Sequence, residues 1–204
     1  MIRIAMISAT LAILFTLGSG SASVQGAATP TSFTGRETPD PALCTVTPRS
    51  AAILTPAAGA TSTATVGSAT PAAISEPIGQ DVSPQTDAEI TTAIRELYAC
   101  FNGSHPLQTL ALFTERGAAQ YVTNHPELTT GDAIATPTPP TVDQRLALVA
   151  LADLRVLPDG RIFALVTQDD PNRPPDGPEP VFVTLIKQGD RWLVDDLQIL
   201  AGGA

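Results

Sequence analysis

The candidates for acid–base chemistry on this chain are two histidines, one carboxylate on a predicted strand and two tyrosines. A histidine or carboxylate beside an apolar pocket can exchange protons, because burial and neighbouring groups shift its pKa. His105 precedes Pro106 at a predicted helix start, and His125 lies in the loop sequence "NHP". A helix cap and a solvated loop explain these positions, so neither histidine is predicted to be catalytic.

The carboxylate is Asp153, which strand alternation places on one face with Leu151 and Arg155, opposite Leu154. An Asp and an Arg two residues apart on a strand face are usually a solvated pair. Tyr98 and Tyr121 could reach a cavity with their hydroxyls, although aromatic residues on a helical stripe more often belong to a core. No carboxylate and histidine stand at the spacing of a dyad, so the sequence assigns no catalytic residue.

Metal and phosphate chemistry have no sequence signature here. The two His and two Cys match no zinc spacing, and "DDPNRPPDG" lacks the alternating ligands and final Glu of a calcium loop. No Gly-rich phosphate loop or nucleophile elbow occurs. The formal net charge of -9 disfavours a phosphate backbone or an anionic membrane surface as partner. We predict no metal, no cofactor and no nucleic acid.

The cysteines, Cys44 and Cys100, allow two interpretations. In an oxidising compartment they could form a disulfide that closes a long loop. Alternatively, Cys100 is a small buried hydrophobe on a helix and Cys44 is a free thiol.

The N-terminus predicts export. Arg3 precedes an apolar run from Ile4 to Leu17, and the small residues Gly20 and Ala22 suit signal-peptidase cleavage. The run is shorter than the roughly 20 residues of a spanning helix. Residues 1–26 are therefore predicted to be a secretory signal peptide, which gives a secreted or extracytoplasmic protein with no stable membrane span after cleavage.

Residues 27–85 are rich in Ala, Thr, Pro and Ser and contain one aromatic residue, Phe33. So little apolar bulk cannot offset the ordering entropy, which predicts a disordered linker. Within it, Asp40 to Ser50 ("DPALCTVTPRS") contains a Cys, a Val and an Arg close together and could dock on the folded domain. Docking would make a disulfide between Cys44 and Cys100 plausible.

The region 86–204 is predicted to be the folded domain, and it opens with helices. "TDAE" at Thr86 fits a capping box, and apolar residues then follow a helical stripe to Phe101. Asn102 and Gly103 supply a left-handed stop, which also explains the glycosylation sequon "NGS" without a sugar. A second helix follows Pro106, and a third, weaker one covers 118–123.

The second half of this domain is predicted to be antiparallel sheet. Runs at 147–157 and 161–168 flank the turn "PDG", and strands at 181–187 and 191–199 flank "QGD". Val181, Val183 and Leu185 point one way and Phe182 and Ile186 the other. Both faces of this strand are apolar, so both are expected to need cover.

From about 87 to 200 the chain resembles the nuclear transport factor 2-like (SnoaL-like) superfamily. The resemblance rests on "AIRELYACFNGSHPLQTLALFTERG", similar to that family's opening helix pair, and "GDRWLVDDL", similar to its terminal strand. It implies an α+β cone, with N-terminal helices packed on a curved antiparallel sheet around an apolar pocket. The residues it makes candidates for that pocket are Tyr98, Phe101, Tyr121, Trp192 and Val194.

The resemblance leaves three hypotheses for function. The first is non-catalytic binding of a small apolar ligand or a protein partner. The second is an isomerase, dehydratase or cyclase acting on a small hydrophobic substrate through Tyr98, Tyr121 or Asp153. The third is association through the outer sheet face, including a homodimer.

Overall fold

The computed structural model describes residues 33–54, 79–129, 138–173 and 177–199. In these ranges the chain is an α+β fold of three helices and one antiparallel sheet. The helices are α1 (Pro84–Asn102), α2 (Pro106–Ala111) and α3 (Glu115–Asn124). The strands are β1 (Thr34–Glu37), β2 (Gln80–Asp81), β3 (Ala147–Val156), β4 (Ile162–Asp169), β5 (Glu179–Gln188) and β6 (Arg191–Ile199).

All strand pairs are antiparallel, in the order β1-β3-β4-β5-β6, and β2 also pairs with β3. The predicted hairpin turns are present, with Gly160 and Gly189 both at positive φ between their strands. The predicted signal peptide, residues 1–26, lies outside the described residues. Within the described ranges, every helix is too short or too polar to cross a bilayer.

The main core lies between α1 and one face of the sheet. Ile90, Ile94 and Leu97 recur at helical spacing on α1 and are buried. They belong to one apolar cluster with the inward residues of β4 and β5, namely Ile162, Ala164, Val166, Val181, Val183 and Leu185. Alternation in β5 leaves Phe182 and Ile186 half-buried on the outer face.

The start of α1 differs from the predicted capping box at Thr86. Ser83 is the N-cap, and its Oγ accepts a hydrogen bond from the Thr86 amide at 3.1 Å, with Pro84 in the first turn. Glu89 does not reach back to the cap, because its carboxylate binds Lys187 and Trp192 instead. The N-cap of the helix is therefore Ser83, three residues earlier than the predicted N-cap Thr86.

The end of α1 also differs in detail. Gly103 keeps a right-handed conformation (φ -83°), and Ser104 takes the left-handed one (φ 51°). The predicted stop at Asn102 and Gly103 is therefore displaced to Ser104, where a short polar side chain tolerates that conformation.

Strand β3 contains a bulge that breaks the predicted alternation. The pairing with β4 shifts between Ala152 and Arg155, and Asp153 has a φ of 50°. Leu151 and Leu154 are consequently both buried although they are three residues apart. The prediction that Leu151 and Leu154 lie on opposite faces is wrong for this reason.

Residues 33–54 and 79–85 belong to the folded unit, so the prediction of a disordered linker over 27–85 is wrong for these two stretches. Strand β1 pairs with β3, and Cys44 is joined to Cys100 by a disulfide. We call residues 39–54 the docked segment, which includes the island predicted from 40 to 50. Residues 55–78 lie outside the described ranges.

Candidate functional site

A pocket of about 250 Å³ lies at the bend between α1 and α2, which we call the elbow pocket. Helix α3 and the 3₁₀ turn after it form its far side. The residues that line it are Cys100, Phe101, Ser104, His105, Pro106, Thr109, Tyr121 and Leu128.

The sequence "FNGSHP" builds the bend locally. Helix α1 ends at Asn102, Ser104 turns the backbone through the left-handed region, and Pro106 starts α2. His105 occupies the N-cap of α2 without a side-chain capping bond. Its imidazole is therefore left to line the pocket.

The docked segment holds α2 in place beneath the pocket. Besides the disulfide to Cys100, the Arg49 amide donates to the Leu107 carbonyl oxygen at 3.0 Å. Gln108 Nε2 donates to the Val46 carbonyl oxygen, also at 3.0 Å. The disulfide ties the segment to α1, and these two hydrogen bonds fix the position of α2, a helix of only six residues.

Asn102 ties the end of α1 to two other parts of the chain. Its Nδ2 donates to the carbonyl oxygens of Pro39 at 3.1 Å and Leu146 at 3.0 Å, and its Oδ1 accepts from the Leu146 amide at 2.8 Å. The residue is 1% exposed. Because the amide nitrogen is buried and bonded, the sequon "NGS" presents no site for a sugar in the folded state.

Aromatic rings form one wall of the elbow pocket. The rings of Phe101 and Tyr121 are stacked with centroids 6.0 Å apart, and Tyr121 also contacts Phe113 and, at 4.3 Å, His125. Burial, assisted by the nearby charge of Glu127, raises the pKa of Tyr121, so its hydroxyl is neutral at physiological pH. The two aromatic residues that line the pocket, Phe101 and Tyr121, therefore form an uncharged wall.

Four polar side chains line the elbow pocket without an internal partner. Ser104, His105, Thr109 and Tyr121 make no side-chain hydrogen bond to any described residue. Thr109 is only 4% exposed as a residue, and it lines the pocket. No Asp, Glu, Lys or Arg is among the described lining residues.

Of the five pocket candidates from the sequence, Phe101 and Tyr121 line the elbow pocket. Tyr98 lies in the core, where its hydroxyl donates to Gln168 Oε1 and burial raises its pKa. Val194 is also buried, with its amide donating to the Leu112 carbonyl at 2.8 Å. These two residues stabilise the fold beside the pocket.

Trp192 lies apart from the elbow pocket, on the β5–β6 hairpin. Its Nε1 donates to Glu89 Oε2 at 2.8 Å, and Lys187 Nζ is 5.4 Å from its ring centroid. Hydrogen bonds from Lys187, Trp192 and Gln85 lower the pKa of Glu89 to about 2. The β5–β6 hairpin therefore attaches to α1 through the carboxylate of Glu89.

The acid–base candidates are not brought together. His105 lines the elbow pocket, whereas His125 stacks behind Tyr121 with its Nδ1 2.9 Å from Glu127 Oε1. Asp153 is on the β3 bulge and is not a lining residue. In the described part of the chain, no group of three or more His, Cys, Asp or Glu could hold a metal ion.

Sequence reasoning did not select Ser104, Pro106, Thr109 or Leu128 as pocket residues. A partial signal existed, because Thr109 follows His105 by four residues and so shares its side of the short helix. Leu128 carries no such signal, since its approach depends on how α3 packs.

A second polar cluster joins α3 to β6. Thr114 Oγ1 donates to Asp195 Oδ1 at 2.8 Å, Arg161 Nη1 donates to Oδ2 at 3.3 Å, and Arg116 forms an ion pair with the same carboxylate. Burial acts to raise the pKa of Asp195, but the hydrogen bonds from Arg116 and Thr114 outweigh it and the pKa is lowered. All its described partners are internal, which marks the cluster as structural.

A scan of family models and searches of curated proteins and of solved structures found no match to this chain.

Proposed function

We propose that this protein is an exported binding protein of the nuclear transport factor 2-like type, which holds a small, largely apolar ligand in the elbow pocket without chemical conversion. The observation that carries the proposal is a pocket of about 250 Å³ whose wall is an aromatic row. Ligand sites are typically concave and apolar with a few polar groups, as here.

Two features support the class and the compartment. The three helices precede the four long strands β3 to β6 along the chain, and α1 packs on one face of the antiparallel sheet that ends in the Trp192 hairpin, as expected of the cone. The Cys44–Cys100 disulfide fits an oxidising compartment, as export would provide.

The enzymatic alternative ranks second. Among the described lining residues, His105 is the side chain of the type that most often serves in general acid–base catalysis. An isomerase or dehydratase would need a second acid or base facing it, and the nearest candidate, Tyr121, has its pKa raised by burial. Binding requires no such pair, so it is the simpler function for this pocket.

The binding proposal is tested by ligand-observed NMR with a library of small ring compounds and the purified chain. Native mass spectrometry after incubation with a culture-medium extract would look for a retained natural ligand. His105→Trp should fill the elbow pocket and abolish binding. The matched control is Gln120→Trp, which adds the same ring at an exposed position on α3.

Loss of binding in His105→Trp with retention in Gln120→Trp supports the proposal. No binding of any library member by the unaltered chain at millimolar concentration contradicts it, as does binding that survives His105→Trp in a folded protein.

A further inference from the structure

We propose that the ligand of the elbow pocket is a small uncharged ring compound with a hydroxyl or carbonyl group, and that Thr109 is the residue that recognises this group. The inference rests on the proposed binding function. It adds the chemical class of the ligand and the residue that selects it.

The first step concerns the Thr109 hydroxyl. Buried polar side chains nearly always have a hydrogen-bond partner. Thr109 is 4% exposed as a residue and lines the pocket, and its hydroxyl bonds to no described residue; because the hydroxyl is not one of the fully buried atoms without a partner, part of that small exposure belongs to it. Elsewhere on helices of this chain, Thr92 and Thr123 donate back to the preceding turn, at 2.9 and 2.8 Å. Thr109 makes no such bond, so its hydroxyl is available to an occupant of the pocket.

The second step concerns size and shape. A dry cavity of about 150 Å³ is large enough to bind benzene. The elbow pocket, at about 250 Å³, therefore accommodates one ring with a substituent or two small fused rings. The stacked rings of Phe101 and Tyr121 present flat surfaces, and aromatic rings favour offset-stacked or edge-on contacts with such surfaces.

The third step concerns charge. The described lining residues include no permanently charged side chain, and the Tyr121 hydroxyl stays protonated. An ionised ligand group would lose part of its hydration without facing a permanently charged counter-ion. Hydroxyl groups on Ser104, Thr109 and Tyr121 can instead donate to, or accept from, a neutral polar group.

The test measures dissociation constants of phenol and toluene for the unaltered chain and for Thr109→Val. Valine keeps the shape of threonine, and no internal hydrogen bond is lost. We expect the unaltered chain to prefer phenol over toluene by about fivefold to tenfold, the worth of one net hydrogen bond, and Thr109→Val to abolish that preference. Thr109→Ser should retain it, and thermal unfolding checks that both variants fold.

Benzoate and benzylamine test the charge argument, and cyclohexanol tests the preference for a flat ring. All three are expected to bind more weakly than phenol. Equal binding of phenol and toluene, a preference unchanged in Thr109→Val, or tighter binding of a charged probe would overturn the inference while leaving the binding function intact. Failure of every probe to bind would instead count against the proposed function.

Discussion

Gly117 is the residue at which α3 and β6 approach most closely. A Cβ atom at this position would lie 2.7 Å from the Val194 carbonyl oxygen and 2.9 Å from that of Asp195. These are backbone atoms on a strand, so they cannot rotate away. Gly117 also donates its amide to Thr114 Oγ1 at 3.0 Å, which places it in the first turn of the helix.

We therefore expect Gly117→Ala to lower the free energy of unfolding by about 1–3 kcal/mol, as overpacking does. Helix propensity alone predicts the opposite sign. Urea denaturation measures the change, and Ala119→Gly at an exposed site on the same helix isolates the propensity effect. A Gly117→Ala variant as stable as the unaltered chain would contradict the close approach.

Asp195 gives a prediction about pH. Its native pKa lies below the ordinary value of 3.8, so the native state binds fewer protons than the unfolded state in the acid range. Its contribution to stability is present above 3.8 and is lost as pH falls through the lower native pKa. Asp195→Asn should reduce stability at pH 7 and flatten the pH dependence between about pH 5 and pH 2.

Unfolding free energies measured across this pH range check the prediction. The matched control is Asp190→Asn, which removes a carboxylate at an exposed position of the turn between β5 and β6. If both variants change the pH profile equally, the cluster around Asp195 has no special role.

At the scale of elements, the docked segment depends on its covalent attachment. The disulfide spans 56 residues between Cys44 and Cys100. A loop of that length is expected to contribute roughly 4 kcal/mol on the chain-entropy model. Replacing both cysteines by alanine should lower the free energy of unfolding by about this amount.

The same double variant should increase hydrogen exchange at the Arg49 amide, whose bond to Leu107 holds α2. Weaker probe binding is the functional consequence, because α2 carries Thr109 and His105. Thr45→Ala is the control, since it removes only a long hydrogen bond of 3.4 Å to Glu96 from the same segment. Mass spectrometry with and without reductant after alkylation verifies the bridge; two alkylated cysteines in the unreduced protein would exclude it.

At the scale of the whole molecule, the outer sheet face is the surface that we propose for self-association. Phe163 and Phe182 lie there with ring centroids 5.1 Å apart, and Leu165 pairs opposite Phe182. Phe182 and Leu165 are half-buried in the single chain. Further apolar burial on this face would be favourable, so we expect a homodimer to form through it at micromolar concentrations.

Sedimentation equilibrium should give twice the chain mass, and Phe182→Glu should return the mass of one chain. Gln188→Glu adds the same charge at the exposed end of β5 and should leave the dimer intact. A single-chain mass at all concentrations would assign the outer face no role in self-association.

Much of the fold follows from local patterns in the sequence. Apolar residues at spacings of three and four define α1, and alternating ones bounded by Gly turns define β4, β5 and β6. These patterns are local because each helix or strand buries one side of itself. The bulge at Asp153 was not predictable in this way, since it depends on pairing with β4.

The sequence by itself determined the order of the three helices and of strands β3 to β6, the two cysteines available for a bridge, and Phe101 and Tyr121 as pocket candidates. Only the tertiary structure decided that residues 33–54 join the fold, that Trp192 and Val194 lie away from the pocket, and that Thr109 lines it. The physical reason is range: helical and strand periodicity act over a few residues, whereas a pocket forms where the docked segment, α2 and α3 meet, and those contacts join residues far apart in the chain.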